Sequence, residues 1–84
     1  MATVIRVDTR EMAVPEPMEA IIGHLGDIRK GVYLEMHHRM RPQVLLNILK
    51  NNGFDYRVKE DGPDVYVYIF RHEDEDTRLA VKDL

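Results

Sequence analysis

The chain has 84 residues, no cysteine, no serine and a formal net charge of −3. That length makes one small domain, burying about 60% of its unfolded surface; the composition excludes a disulfide framework, a thiolate zinc site, a cysteine nucleophile and a serine-based triad. Residues 1–72 carry ten basic and ten acidic side chains, and such a neutral body argues against nucleic acid as a partner.

Thr3 to Asp8 is β-rich and predicts a first strand with Ile5 and Val7 on one face. The turn Asp8–Ala13 leads into Val14-Pro15-Glu16-Pro17, whose prolines are tolerated only in a first helical turn. Met18, Ile21, Ile22 and Leu25 follow at helical spacing, Gly23 and Gly26 weaken the helix, and Gly31 ends the segment. Val32, Leu34 and Met36 alternate with Tyr33, Glu35 and His37 in a second strand. A second helix is expected from Pro42 to about Asn52, with Arg41 as N-cap, a buried stripe of Val44, Leu45, Ile48 and Leu49, and a stop at Asn52-Gly53. Phe54, Tyr56 and Val58 mark a third strand, Asp61-Gly62-Pro63-Asp64 a turn, and Val65–Phe70, apolar in both phases, a central fourth strand. Residues 73–84 supply the whole charge deficit, with Glu73, Asp74, Glu75, Asp76 and Asp83 against Arg78 and Lys82. They read as a flexible, solvated acidic tail outside a domain spanning 1–72.

The order β-α-β-α-β-β predicts an α/β (α+β) two-layer sandwich, a mixed four-stranded sheet with two helices on one face. Right-handed crossovers then place both proline-marked helix starts at one sheet edge, where open α/β sheets bind ligands. Tyr66, Tyr68 and Phe70 should form an aromatic row on the far face, with Tyr33 beside it. That face is either an ordinary wet surface or one covered by a second copy or a partner domain.

The segment Asp8-Thr9-Arg10-Glu11-Met12-Ala13-Val14-Pro15-Glu16-Pro17 resembles the D-x-R-G-x-x-C-P-x-P pattern of the TusA/SirA-like sulfur-carrier fold. Val14 stands at the cysteine position and Glu11 at the glycine, so persulfide chemistry does not carry over. A bacterial relative of that family resembles the chain more closely. Its pattern, R-E-x-x-x-P-E-P, then H-x-x-x-P-x-x-L and a later G-F, is met by Arg10-Glu11, Pro15-Glu16-Pro17, His38, Pro42, Leu45 and Gly53-Phe54. This relative occurs as a single domain or beside hemerythrin-like domains. The resemblance, over about residues 3–71, implies a two-layer sandwich and no activity.

The candidate site is the basic turn before the second helix. A helix opening without a side-chain cap leaves free N–H groups at the positive end of its dipole, which attracts anions. His38, Arg39 and Arg41, with the amides of Gln43, Val44 and Leu45, would receive a carboxylate, phosphate or acidic partner loop. Arg10 would approach from the neighbouring turn, and Pro15, Pro17 and Pro42 would set the turns. The competing reading is that Arg41 or Arg10 merely pairs with Glu16 or Glu11. His37 and His38, being adjacent on a strand, point to opposite faces and do not chelate one metal together.

These residues lead to the expectation of a non-enzymatic, cytoplasmic binding module without metal or cofactor. Its partner would be a small anion or a protein, with neither nucleic acid nor membrane involved; a homodimer through the open sheet face is a further candidate. No apolar run spans a membrane and no signal-peptide pattern is present. The alternative is an enzyme or redox-accessory domain using His38 as proton donor or metal ligand.

Overall fold

The computed structural model describes residues 2–84, in the order β1 (Thr3–Asp8), α1 (Glu16–His24), β2 (Val32–His38), α2 (Gln43–Asn51), β3 (Phe54–Asp61), β4 (Asp64–Arg71) and α3 (Glu75–Val81). A short 3-10 turn, Leu25–Asp27, follows α1 where Gly23 and Gly26 weaken the helix. The sheet order is β1-β2-β4-β3. β1 and β2 are parallel, with Ile5 opposite Leu34 and Val7 opposite Met36. β4 runs antiparallel to both β2 and β3, so β1, β2 and β3 share one direction. Gly62, at φ 62°, allows the tight return in which Asp61 faces Asp64.

Period-two alternation sorts β4 into two faces. Val65, Val67 and Ile69 join Leu34 and Met36 beneath α1 and α2, where Ile21, Leu45, Leu46 and Leu49 complete the core. Two helices on one face of a mixed four-stranded sheet is the expected architecture, and β4 is an inner strand as its apolar character requires. The buried stripe of α2 differs from expectation: Leu45, Leu46 and Leu49 are buried, whereas Val44 is exposed. Turning Leu46 inward instead of Val44 removes more apolar surface from water.

Both helices also begin later than their prolines suggest. Pro15 and Pro42 are the N-caps of α1 and α2 rather than their first helical residues, and neither helix has a side-chain cap. Arg41 therefore lies outside α2, one position before its cap.

The acidic C-terminal segment is not a flexible tail. Asp74 caps α3, its Oδ1 accepting from the Thr77 amide at 3.2 Å and its Oδ2 from Thr77 Oγ1 at 2.6 Å and the Gly31 amide at 2.8 Å. Glu75 and Asp76 sit in the first turn, where the helix dipole favours acids. Val81 is buried against Tyr68 and Phe70, so α3 covers part of the far face of the sheet. The aromatic row is therefore shielded by the chain itself at Tyr68 and Phe70. Tyr33 and Tyr66 stay partly exposed at its margin, Tyr33 meeting Tyr68 edge-on with ring centres 6.2 Å apart.

Candidate functional site

Because β1 and β2 are parallel, the chain leaves both strands at the same edge, and the two proline-led helix starts meet there. Between them lies a groove of about 220 Å³. Val14, Pro15, Pro17 and Met18 form one wall, and Met40, Arg41, Pro42, Gln43, Val44 and Leu45 the other. Met36 and His38, successive inward-facing residues of β2, make the floor.

His38 is 8% exposed. Its Nδ1 lies 2.9 Å from Thr9 Oγ1, and that hydroxyl donates to the His37 carbonyl at 3.0 Å. A hydroxyl has one proton to give, so this arrangement assigns the Nδ1 proton to His38 and leaves Nε2 with a lone pair. Nε2 has no hydrogen-bond partner among the described residues, and the ring lines the groove. Burial pushes the His38 pKa below its ordinary value; the contact with Thr9 opposes this, and the charge of Arg39 adds to the lowering.

The two helix starts contribute differently. Glu16 and Glu19 already offset the positive end of α1. Pro15 and Pro17 have no N–H, so α1 supplies an apolar wall. The first turn of α2 contains no acid. The Gln43 amide is engaged by the Arg41 carbonyl at 3.0 Å and the Leu46 amide by the Pro42 carbonyl at 3.0 Å. The donors left by helix geometry are the amides of Val44 and Leu45. The free amides are therefore fewer than the Gln43–Leu45 run expected from sequence.

The cationic side chains are only partly assembled. Arg41 borders the groove and donates from Nε to Gln43 Oε1 at 2.9 Å. Arg39 is exposed on the bend beyond β2 and is not part of the wall. Arg10 does not reach the groove, being held by Asp8 through Nε at 2.9 Å and Nη2 at 2.7 Å. Neither Arg10 nor Arg41 pairs with Glu11 or Glu16, as the competing reading required. Thr9, Met18, Met36 and Met40 were not singled out by sequence. Only Met36 carried a signal, its even spacing from His38 along one strand face.

His37 faces the opposite side of the sheet. It stacks on Tyr66 with ring centres 4.4 Å apart, and its Nε2 lies 3.3 Å from Asp64 Oδ1 without hydrogen-bond alignment. The two histidines are thus separated by the sheet. Among the described residues no group of three or more His, Asp or Glu side chains is gathered to hold a metal ion.

Among the described residues no helix is long and apolar enough to cross a membrane. Comparison with curated proteins and with solved structures finds no match. The family model described as "Uncharacterized conserved protein (DUF2249)" matches residues 6–72, which include both helix starts, the floor of the groove and all of β2–β4. On that match, the chain belongs to the DUF2249 family.

Proposed function

We propose that this domain is a non-enzymatic binding module of TusA-like fold, holding a small anion or a partner's acidic group in the groove between its proline-led helix starts. One observation supports the reading: His38, whose Nε2 has no hydrogen-bond partner among the described residues, lines the same groove as an uncapped helix start with no acid in its first turn. The TusA-like assignment is supported by the strand and helix order and by Pro15 and Pro17 heading α1.

Neutral His38 offers the groove a lone pair, so it repels an anion. Protonation converts Nε2 into a donor while Nδ1 keeps its bond to Thr9. The groove then presents an imidazolium, the Val44 and Leu45 amides and the Arg41 guanidinium. Binding an anion is on this account coupled to uptake of one proton. A ligand entering as a neutral acid, with its O–H donating to Nε2, has the same proton balance.

The test is titration with acetate, sulfate and phosphate at pH 6, followed by amide chemical shifts. Selective shifts are expected within residues 38–46. Arg41→Ala should weaken binding about two- to fivefold, the effect of one exposed charge contact worth up to ~1 kcal/mol. Unselective shifts, or none, would remove the reading.

The free lone pair also favours a second reading, in which His38 is a proton donor or metal ligand of an enzyme or redox-accessory domain. Further metal ligands would have to be supplied from elsewhere, since among the described residues no group of three or more candidate ligands includes His38. A stoichiometric metal in the purified protein, lost in His38→Ala, would establish that reading instead.

A further inference from the structure

Resting on the anion-holding reading above, we infer that the occupant of the groove is the C-terminal end of a partner protein, an apolar last residue with its free carboxylate. The cavity of about 220 Å³ is smaller than the roughly 300–1,000 Å³ typical of small-molecule pockets. It has room for about one residue. The lining is mostly apolar, Met18 and Met36 among it, and its polar part comes from His38 and from the first turn of α2, whose Val44 and Leu45 amides have no partner within the helix. The occupant must therefore carry an acidic group and an apolar body on nearly the same atom.

An internal stretch of an extended peptide does not meet that condition. Neighbouring side chains of an extended chain point to opposite faces, so an acid and the apolar residue beside it do not enter one small cavity together. At a chain end, the carboxylate and the last side chain share one Cα. Capture of a terminal carboxylate by backbone amides is an established mode of peptide recognition.

The lip of the groove separates a protein end from a free small acid. The most exposed large apolar side chains among the described residues are Val14 at 88%, Met40 at 64% and Val44 at 63%. All three border this groove. Grouped exposed apolar side chains mark an association surface. A free amino acid or short fatty acid would fill the cavity and leave this lip in water, whereas the residues preceding a chain end would cover it. Arg39 and Arg41, at the adjoining bend, complement a partner end rich in negative charge.

The experiment follows amide shifts of the whole chain with acetylated tetraalanine extended by leucine, methionine or phenylalanine. Each peptide is supplied as the free acid and as the amide, with N-acetyl-leucine and acetate as controls. The inference predicts that at least one free-acid peptide binds tenfold or more tighter than both its amide and N-acetyl-leucine. Shifts should centre on residues 38–46 and extend to Val14. Val44→Asp should abolish this binding, because an acid at the second helical position is favoured there and occupies the donors while the fold survives. Leu79→Asp, on the exposed side of α3, should leave it unchanged. Equal binding of acid and amide, equal binding of N-acetyl-leucine and peptide, or an indifferent Val44→Asp would each overturn the inference. If acetate shifts residues 38–46 and no peptide does better, the docking inference falls and the anion reading stands. If acetate fails as well, both fall.

Discussion

At the scale of single residues, the arrangement turns on one hydroxyl. Thr9, just past β1, receives the Nδ1 proton of His38 from 29 positions away and passes its own to the His37 carbonyl. The contact follows from parallel pairing of β1 with β2, which continues through the bond from the Thr9 amide to the His37 carbonyl at 2.9 Å. It fixes which ring nitrogen is free. It also has a consequence for stability. Burial lowers the His38 pKa from its ordinary 6.5, so below that value the unfolded chain binds a proton more readily than the folded one. Stability attributable to His38 is therefore constant above about pH 6.5 and falls as pH drops below it, until the folded-state pKa is passed. Urea unfolding at pH 7.5 and pH 5.5 should show this loss in the native chain, and His38→Gln should reduce it. An unchanged pH dependence in His38→Gln would mean that the ring is not held neutral by burial.

At the scale of elements, α3 is attached by polar contacts as much as by Val81. Asp55, at the start of β3, accepts from Lys50 Nζ at 2.6 Å and from Arg78 Nη1, tying α2, β3 and α3 together. Burial alone would raise its pKa, but the hydrogen bonds from Lys50, Arg78 and the Tyr56 amide outweigh that and hold the carboxyl well below the usual carboxylate range. Its contribution is thus fully present above the ordinary value of 3.8 and is lost as pH falls through the lowered folded-state value. Asp55→Asn should cost about 1–3 kcal/mol at neutral pH, a range that allows for screening at the half-exposed Lys50. Urea unfolding measures the cost, and increased exposure of the β4 aromatics would show the loosening of α3. Little of this attachment was legible in the sequence. A run of acids reads as a solvated tail, yet Asp74 and Thr77 form a local cap, and only the fold brings Arg78 to Asp55. The strands and the two core helices were legible, because period-two and 3.6-residue patterns report burial directly. The choice of Leu46 over Val44 was not, since both positions fit an apolar stripe and packing decides between them.

At the scale of the whole molecule, strand direction makes the site. Proline-led turns some two dozen residues apart share an edge because β1 and β2 are parallel and a helix follows each. That much followed from the element order, which is why His38, Arg41, Val44 and Leu45 could be singled out together. The exclusion of Arg10 and Arg39 could not be read the same way: Asp8 lies two positions from Arg10 and competes for it locally. Nor was the apolar character of the groove legible, since the methionines reach it from separate elements. The molecule has one sheet face closed by α1 and α2 and the other partly closed by α3, and three of its exposed apolar side chains, Val14, Met40 and Val44, border the groove, while Leu79 is exposed on α3.

The most direct measurement is the titration of the His38 ring by NMR, alone and in saturating acetate. Proton-coupled capture of an anion at this ring predicts that acetate raises the His38 pKa by about one unit or more, each unit corresponding to a tenfold difference in affinity between the two protonation states. A His38 pKa that is the same with and without acetate would contradict the account.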